Sequence, residues 1–260
     1  MSFWISAKNF FWGKEKRAEN EIKENPVYSL LLKTSDIDIS DAGPVLSKYS
    51  VIIHDITMSC TVLSEARSKN QLIDIIGCEV EKYPLKILTK MMADFSEKTK
   101  DIDEVYRRRL LKKIHEQIFD THHMIKLLQE KRDYSDYLSA PGQNSKDYWQ
   151  MVLEACRAKA SVDDPQILYL KYLLAGFRMF ALKEPGHPVG TPFPGGHMIE
   201  KDYNKYYCPV RDKADDVLYA LCPFCPAEQS SEFMLLYTKK QREKKKKNAS
   251  VQNYFTNFKG

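Results

Sequence analysis

The chain has 260 residues, 43% of them hydrophobic and 12% aromatic, with 10 Gly and 12 Pro, which allows a sizeable core and excludes a wholly disordered, collagen-like or low-complexity protein. Residues 239–260 alone hold eight Lys or Arg against one Glu, so the net charge of +5 leaves the other 238 residues at about −2. A globally basic nucleic-acid binder is thereby excluded, and any attraction for phosphate belongs to the C-terminal end. In chain order, the aromatics Phe3, Trp4, Phe10, Phe11 and Trp12 come first and are expected to pack across the rest of the fold. Val45 to Ala66 reads as a helix containing Val51, His54, Ile56 and Met58. Asn70 is expected to cap a second helix through Leu72, Ile75, Ile76 and Cys78, which Pro84 ends or kinks before it resumes toward Phe95. Asp101 or Asp103 opens the longest candidate, with Leu111, Ile114, Ile118, Ile125 and Leu128 along one face.

After a Pro-Gly loop from Ala140 to Asn144, Ser145 caps a helix that carries Trp149, Val152, Leu153 and Cys156. Asp163 or Asp164, with Pro165 in the first turn, starts the next helix, which runs to Lys183. That helix is apolar almost all round and should sit at the centre of a bundle. From Glu184 onward Pro and Gly crowd the chain as far as Gly196, which forbids helix and demands an ordered loop. Met198 to Val210 alternates as a short hairpin around Asp202 to Asn204, and Asp212–Leu221 and Ser231–Lys247 read as helical. The expected architecture is mainly α: a helical bundle with a small Cys/His-rich loop and β-hairpin subdomain and a flexible C-terminal tail. Its divisions are an aromatic arm at 1–27, the bundle at 28–183, the Cys/His subdomain at 184–229, a basic helix at 230–247 and a partner-binding tail at 248–260.

Six cysteines in so long a chain fit an intracellular metal or redox site better than a secreted disulfide framework. Cys208, Cys222 and Cys225 are spaced C-x13-C-x2-C, with His187 and His197 upstream. Two thiolates two residues apart can grip one metal from a tight turn, Pro209, Pro223 and Pro226 stiffen those turns, and a third thiolate with one imidazole completes a tetrahedral shell. The pattern suits zinc as a structural ion or, alternatively, an iron–sulfur cluster, and a redox pair at Cys222 and Cys225 stays open. Cys60, Cys78 and Cys156 lie on apolar helix faces and read as core residues.

The run from Lys183 to Ala227 resembles the C-terminal signature of an archaeal family of unknown function, the one catalogued as domain of unknown function two-one-one-five and found mainly in methanogens. The matching features are the His-Pro loop at His187, the pair Gly195 and Gly196, Tyr206 to Pro209, and Leu221 to Cys225. The resemblance implies an archaeal cytoplasmic protein and a deliberate Cys/His constellation; it supplies no activity. The most apolar stretch, Ile167 to Leu182, contains Lys171 and Arg178, so no membrane span is expected either.

Beyond the basic run, Val251, Tyr254 and Phe255 stand at i, i+3 and i+4, on one side of a single helical turn, the arrangement of a short anchor for a hydrophobic groove. With Asn248 in the position of the usual Gln, the segment resembles the sliding-clamp (PCNA) interaction motif. Asn is one methylene shorter than Gln, which weakens the polar contact. Lys244, Lys245, Lys246 and Lys247 would add salt-dependent attraction to DNA.

Other signals lead less far. His54 with Asp55 is similar to the metal dyad of HD-type phosphohydrolases, but that chemistry needs a His upstream and His54 is the first in the chain. His122 and His123 are adjacent on a helix, about 100° apart, and do not readily share a metal. No Gly-rich phosphate loop, Gly-x-Ser-x-Gly elbow or His-Glu-x-x-His is present, and Glu79, Glu81, Asp215 and Asp216 read as solvated helix faces. The expected function is therefore a non-enzymatic accessory factor of archaeal DNA replication or repair, recruited to the sliding clamp and carrying a structural metal. The alternative is an iron–sulfur or thiol redox protein, and an enzyme with a groove beside the His187 to Gly196 loop is a third reading.

Overall fold

The computed structural model describes residues 44–131, 137–142, 144–160, 164–193, 196–213 and 217–230, in which six helices pack together and a three-stranded sheet closes one end. Helix α1 is Pro44–Ser64, α2 is Lys69–Glu81 and α3 is Leu85–Lys98. The long rod α4 starts as Glu104–His115, passes through a π turn at Glu116–Asp120 and continues as Thr121–Lys131. Helix α5 is Ser145–Lys159, and α6 is Pro165–Gly176 extended by a second π turn at Phe177–Ala181.

Local chemistry accounts for most of the boundaries. The Asp103 carboxylate accepts the Tyr106 backbone N–H at 3.0 Å, and the Asp164 carboxylate accepts that of Gln166 at 3.0 Å with Pro165 directly after it. Each satisfies a donor that the first helical turn would otherwise leave orphaned. The cap of α2 is Ser68 rather than Asn70, because the helix starts two residues earlier than its apolar stripe suggests. The Asn70 side chain still serves that turn, accepting from the Ser68 hydroxyl and, at 2.8 Å, from the Gln71 N–H. In the same way α5 begins after Asn144, with Ser145 as a buried first residue. Pro84 ends the run rather than kinking it: α2 stops at Glu81 and Pro84 stands immediately before α3.

Helix α6 is the centre expected of it. Tyr169, Leu170, Leu173, Leu174, Ala175 and Phe177 are all buried, and the helix touches α1, α2, α5 and the π turn of α4. Against it α5 sets Tyr148 and Trp149, both wholly enclosed. In α4 the buried residues are Leu110, Ile114, Ile118 and Ile125, while Leu111 and Leu128 are only half-buried; two adjacent leucines let the sequence be read one residue out of phase. Cys78 is exposed, since the inward stripe of α2 runs through Leu72, Ile73, Ile76, Gly77 and Val80 and leaves the next position outside.

Beyond α6 the Pro/Gly loop is ordered by its own hydrogen bonds, Gly190 N–H to Ile199 C=O at 2.8 Å, Phe193 N–H to His197 C=O at 2.7 Å and the Thr191 hydroxyl to Pro188 C=O at 2.6 Å. Helix side chains also hold three of its backbone carbonyls. Tyr106 Oη donates to Pro192 C=O at 2.9 Å, Gln117 Nε2 to Gly186 C=O at 2.7 Å and Arg178 Nε to Pro185 C=O at 3.3 Å. Strands β1 (Glu200–Asp202) and β2 (Lys205–Cys208) form the expected hairpin, with Glu200 opposite Tyr207, and Tyr203 in the turn has a positive φ of 50°. Strand β3 (Glu228–Gln229) adds to the other edge of β2 in parallel. Asp212–Leu221 is not the helix expected: its described residues form a short 3-10 turn at Arg211–Lys213 and further turns at 217–219. The Asp-rich start of that segment has no apolar stripe wide enough to bury a helix. No helix among the described residues is long and apolar enough to cross a membrane.

Candidate functional site: a corner of three thiols

Two chain segments converge where the sheet meets the helices. Cys208 ends β2; Cys222–Phe224 forms a 3-10 turn; Cys225 follows it and donates its N–H to Cys222 C=O at 3.1 Å. The turn is anchored in the bundle by Phe224, whose ring meets Tyr148 edge-on at 5.4 Å between centroids. A relay of phenols holds the neighbouring loop: Tyr148 Oη donates to Tyr172 C=O at 2.6 Å, and Tyr172 Oη donates to Tyr219 C=O at 3.0 Å. Cys208 is packed from the other side by Phe193, Ile199, Val210 and Ala227.

The electrostatics of the corner pull in two directions. Burial pushes the Cys208 and Cys222 thiols up to about 12, and the sulfurs add to this by proximity, Cys225 acting on Cys208 and both neighbours acting on Cys222. Against that, the nearby backbone amides of Val210 and Arg211 lower Cys208, and the Arg211 guanidinium lowers both thiols. Amides turned toward a sulfur favour its thiolate form. All three cysteines are free. As bare thiols Cys208 and Cys222 are poor nucleophiles; a positive charge brought beside them would favour their thiolates.

The two histidines are placed differently. His187 is beside Arg178, with its ring edge-on to Phe193 at 6.4 Å, and burial followed by that guanidinium pushes it down to about 4. His197 lends its carbonyl to the Phe193 N–H. Among the described residues no group of three or more His, Cys, Asp or Glu side chains has the arrangement of a metal shell, so the thiols share a corner without forming a closed set of ligands. Gly195 of the loop signature, Lys244 to Lys247, and Asn248, Val251, Tyr254 and Phe255 lie outside the described residues. Cys60 and Cys156 are core residues of α1 and α5, as expected.

Sequence reasoning missed a cavity of about 240 Å³ between α1, α2 and the start of α6, lined in part by Asp55, Glu79, Asp164 and Tyr169. Glu79 is no solvated residue: its side chain is 13% exposed and pairs with Lys82 at 2.8 Å. The four come from three helices far apart in the chain, so no motif spacing could have announced them.

Fold and corner together define a helical protein with a small sulfur-bearing cap. The chain belongs to the family described as an uncharacterized protein conserved in archaea (DUF2115), whose model matches residues 68–230, from the cap of α2 to the end of β3 and including all three cysteines of the corner. It is 43% identical over 77 residues to a UPF0305 protein of Methanothermobacter thermautotrophicus, an alignment covering 30% of this chain and 48% of that one. To a UPF0305 protein of Methanopyrus kandleri it is 32% identical over 100 residues, 38% of this chain and 70% of the relative. A UPF0305 protein of Methanocaldococcus jannaschii is 35% identical over 80 residues, 31% and 48% respectively. The aligned stretches thus span about half the length of two of these relatives and seven-tenths of the other. No solved structure matches the chain.

Proposed function

We propose that Cys208, Cys222 and Cys225 form a thiolate site for a soft metal, zinc in a structural role or else an iron–sulfur cluster, in a non-enzymatic protein of archaea. What carries this reading is the meeting of three thiols at one corner, Cys208 at the end of β2 and Cys222 and Cys225 on the facing turn, close enough for Cys225 to act on Cys208 and for both to act on Cys222. Thiols so placed ionise together only around a cation. The donor chemistry fits: three soft sulfurs, undivided by any disulfide, on turns stiffened by Pro209 and Pro223. A bound cation would supply the charge that keeps all three sulfurs ionised and would cross-link the sheet to the turn. The fourth ligand is left to His197 or to water, since Arg178 beside His187 opposes a cation there. The test is to purify the whole chain without oxygen and measure bound zinc, iron and acid-labile sulfide. About one metal or cluster per chain, lost in Cys222→Ser, is the expected result; metal-free protein with six titratable thiols overturns it.

A second reading is favoured by the tail sequence Asn248, Val251, Tyr254 and Phe255, which has the spacing of a sliding-clamp anchor. It makes the protein an accessory factor of DNA replication or repair. The tail lies beyond the 68–230 stretch matched by the family, so this role would be this chain's own addition. Capture of the clamp by the intact chain, and not by one ending at Lys247, supports it; equal capture by both rejects it.

A further inference from the structure

We infer that the outward face of α1 is the docking surface for this chain's own N-terminal aromatic segment, residues 3–12. Helix α1 already has a face for the core, made by Ile53, Ile56, Cys60 and Leu63, all buried. It carries a second apolar set, Val51, Met58 and Val62, which are 55%, 55% and 47% exposed. At about 100° per residue these three fall within roughly 40° of one another, so they form one stripe along the helix rather than scattered singles. The outward face of a surface helix is ordinarily polar. Here the stripe's one charge is Asp55, exposed between Val51 and Met58.

The segment that fits is tethered to the same helix. Residues 1–43 lie outside the described ones, and they run directly into Pro44, the first residue of α1. Their sequence has Phe3-Trp4-Ile5 and then Phe10-Phe11-Trp12 seven residues on, the spacing of Val51 and Met58. Lys8 stands four residues after Trp4 and three before Phe11, as Asp55 stands four after Val51 and three before Met58. Wound as a helix on docking, the segment would set two aromatics on Val51 and Met58 and turn its ammonium toward the Asp55 carboxylate. Lys8 is the only charged side chain in residues 1–12, so the match in charge is as specific as the match in spacing.

Reach and concentration favour the contact. The 31 residues between Trp12 and Pro44 can span at most about 100 Å, against roughly 30 Å for the whole of α1. Such a tether holds the segment at a roughly millimolar effective concentration, at which a short apolar contact suffices. Stripe and segment both precede residue 68, where the match to the family begins, so they belong to one extension of the shared fold. A second copy is the poorer occupant: two α1 stripes paired about a two-fold axis would bring their Asp55 carboxylates together near it, where like charges repel.

Acrylamide quenching of tryptophan fluorescence in the full chain tests the inference. Trp4, Trp12 and Trp149 are the three tryptophans, and Trp149 is wholly buried, so quenching reports the segment over a protected background. In the parent chain Trp4 and Trp12 should be quenched weakly, to a degree independent of protein concentration. Met58→Ser combined with Val51→Ser should raise that quenching roughly threefold, while Val105→Ser, at a comparably exposed position on α4, should leave it unchanged. Lys8→Glu should raise it too, and Asp55→Lys in the same chain should restore the protection, a rescue that damage to the fold cannot imitate. Trp149 stays protected in every variant if the bundle is intact. Free quenching of Trp4 and Trp12 in the parent, shielding that grows with protein concentration, shielding that survives the paired serine substitutions, or a Lys8→Glu effect that Asp55→Lys does not reverse overturns the inference.

Discussion

At Gly176 the absence of a side chain decides how closely α5 and α6 approach. A Cβ there would lie 2.7 Å from Trp149 Cη2 and 2.9 Å from Tyr148 Cε1. Neither ring has room to retreat: both are fully buried, and Tyr148 is tied by its hydroxyl to Tyr172 C=O and packed by Phe180 and Phe224. Alanine would gain about 1 kcal/mol of helix propensity over glycine, but overpacking a rigid core costs roughly 1–3 kcal/mol. Gly176→Ala is therefore expected to lose up to about 2 kcal/mol, read as a lower urea midpoint at unchanged slope. Gly77 is the informative contrast, because the atoms its Cβ would meet all belong to the flexible Gln129 side chain. Gly77→Ala should cost clearly less; a larger loss there than at Gly176 would refute the packing argument.

At the level of elements, the thiol turn belongs to the bundle more than to the sheet. Phe224, Leu221 and Tyr219 all pack on the helical core, whereas Cys208 is enclosed by residues of the loop and hairpin. Phe224→Ala should therefore loosen the 222–225 turn while leaving β1 and β2 paired. The half-buried ring makes the stability loss moderate, about 2 kcal/mol. The sharper readout is thiol chemistry: in metal-free protein Cys222 should react with a disulfide reagent several-fold faster, while Cys208 keeps its protection. Equal acceleration of both would mean that the corner opens as one unit. The same elements show what could be read in the chain. Helix α6 was legible because Asp164 and Pro165 mark its start and its apolar residues leave no polar face; the hairpin was legible from its alternation. The start of α2 was not, because Ser68 and Asn70 are both good caps two residues apart. The corner's cysteines announced themselves by spacing, but the Phe224 ring that seats their turn on Tyr148 and the Arg178 beside His187 depend on tertiary packing and leave no mark in the sequence.

Over the whole molecule, two histidines near Arg178, His122 buried and His187 half-buried, make folding sensitive to acid. His187, in the Pro/Gly loop, is pushed down to about 4 by burial and then by Arg178; His122, in α4, is lowered by burial and then by Lys126. A histidine in the unfolded chain takes up its proton near pH 6.5, before either of these can. Between about pH 7.5 and about 4 the unfolded state thus binds more protons than the folded one, and stability falls as pH falls through that window, while above it these groups contribute almost no slope. For His187 the loss from pH 6.5 to 5 is about 2 kcal/mol, in a range where ordinary carboxylates are still ionised. Urea unfolding at these two values should show that decline in the parent chain. In His187→Asn, which cannot be protonated, the decline should shrink by about the same amount. An undiminished slope in that variant would mean that the loop frees His187 to solvent, and with it that the hydrogen bonds from Tyr106, Gln117 and Arg178 do not hold the cap against the bundle.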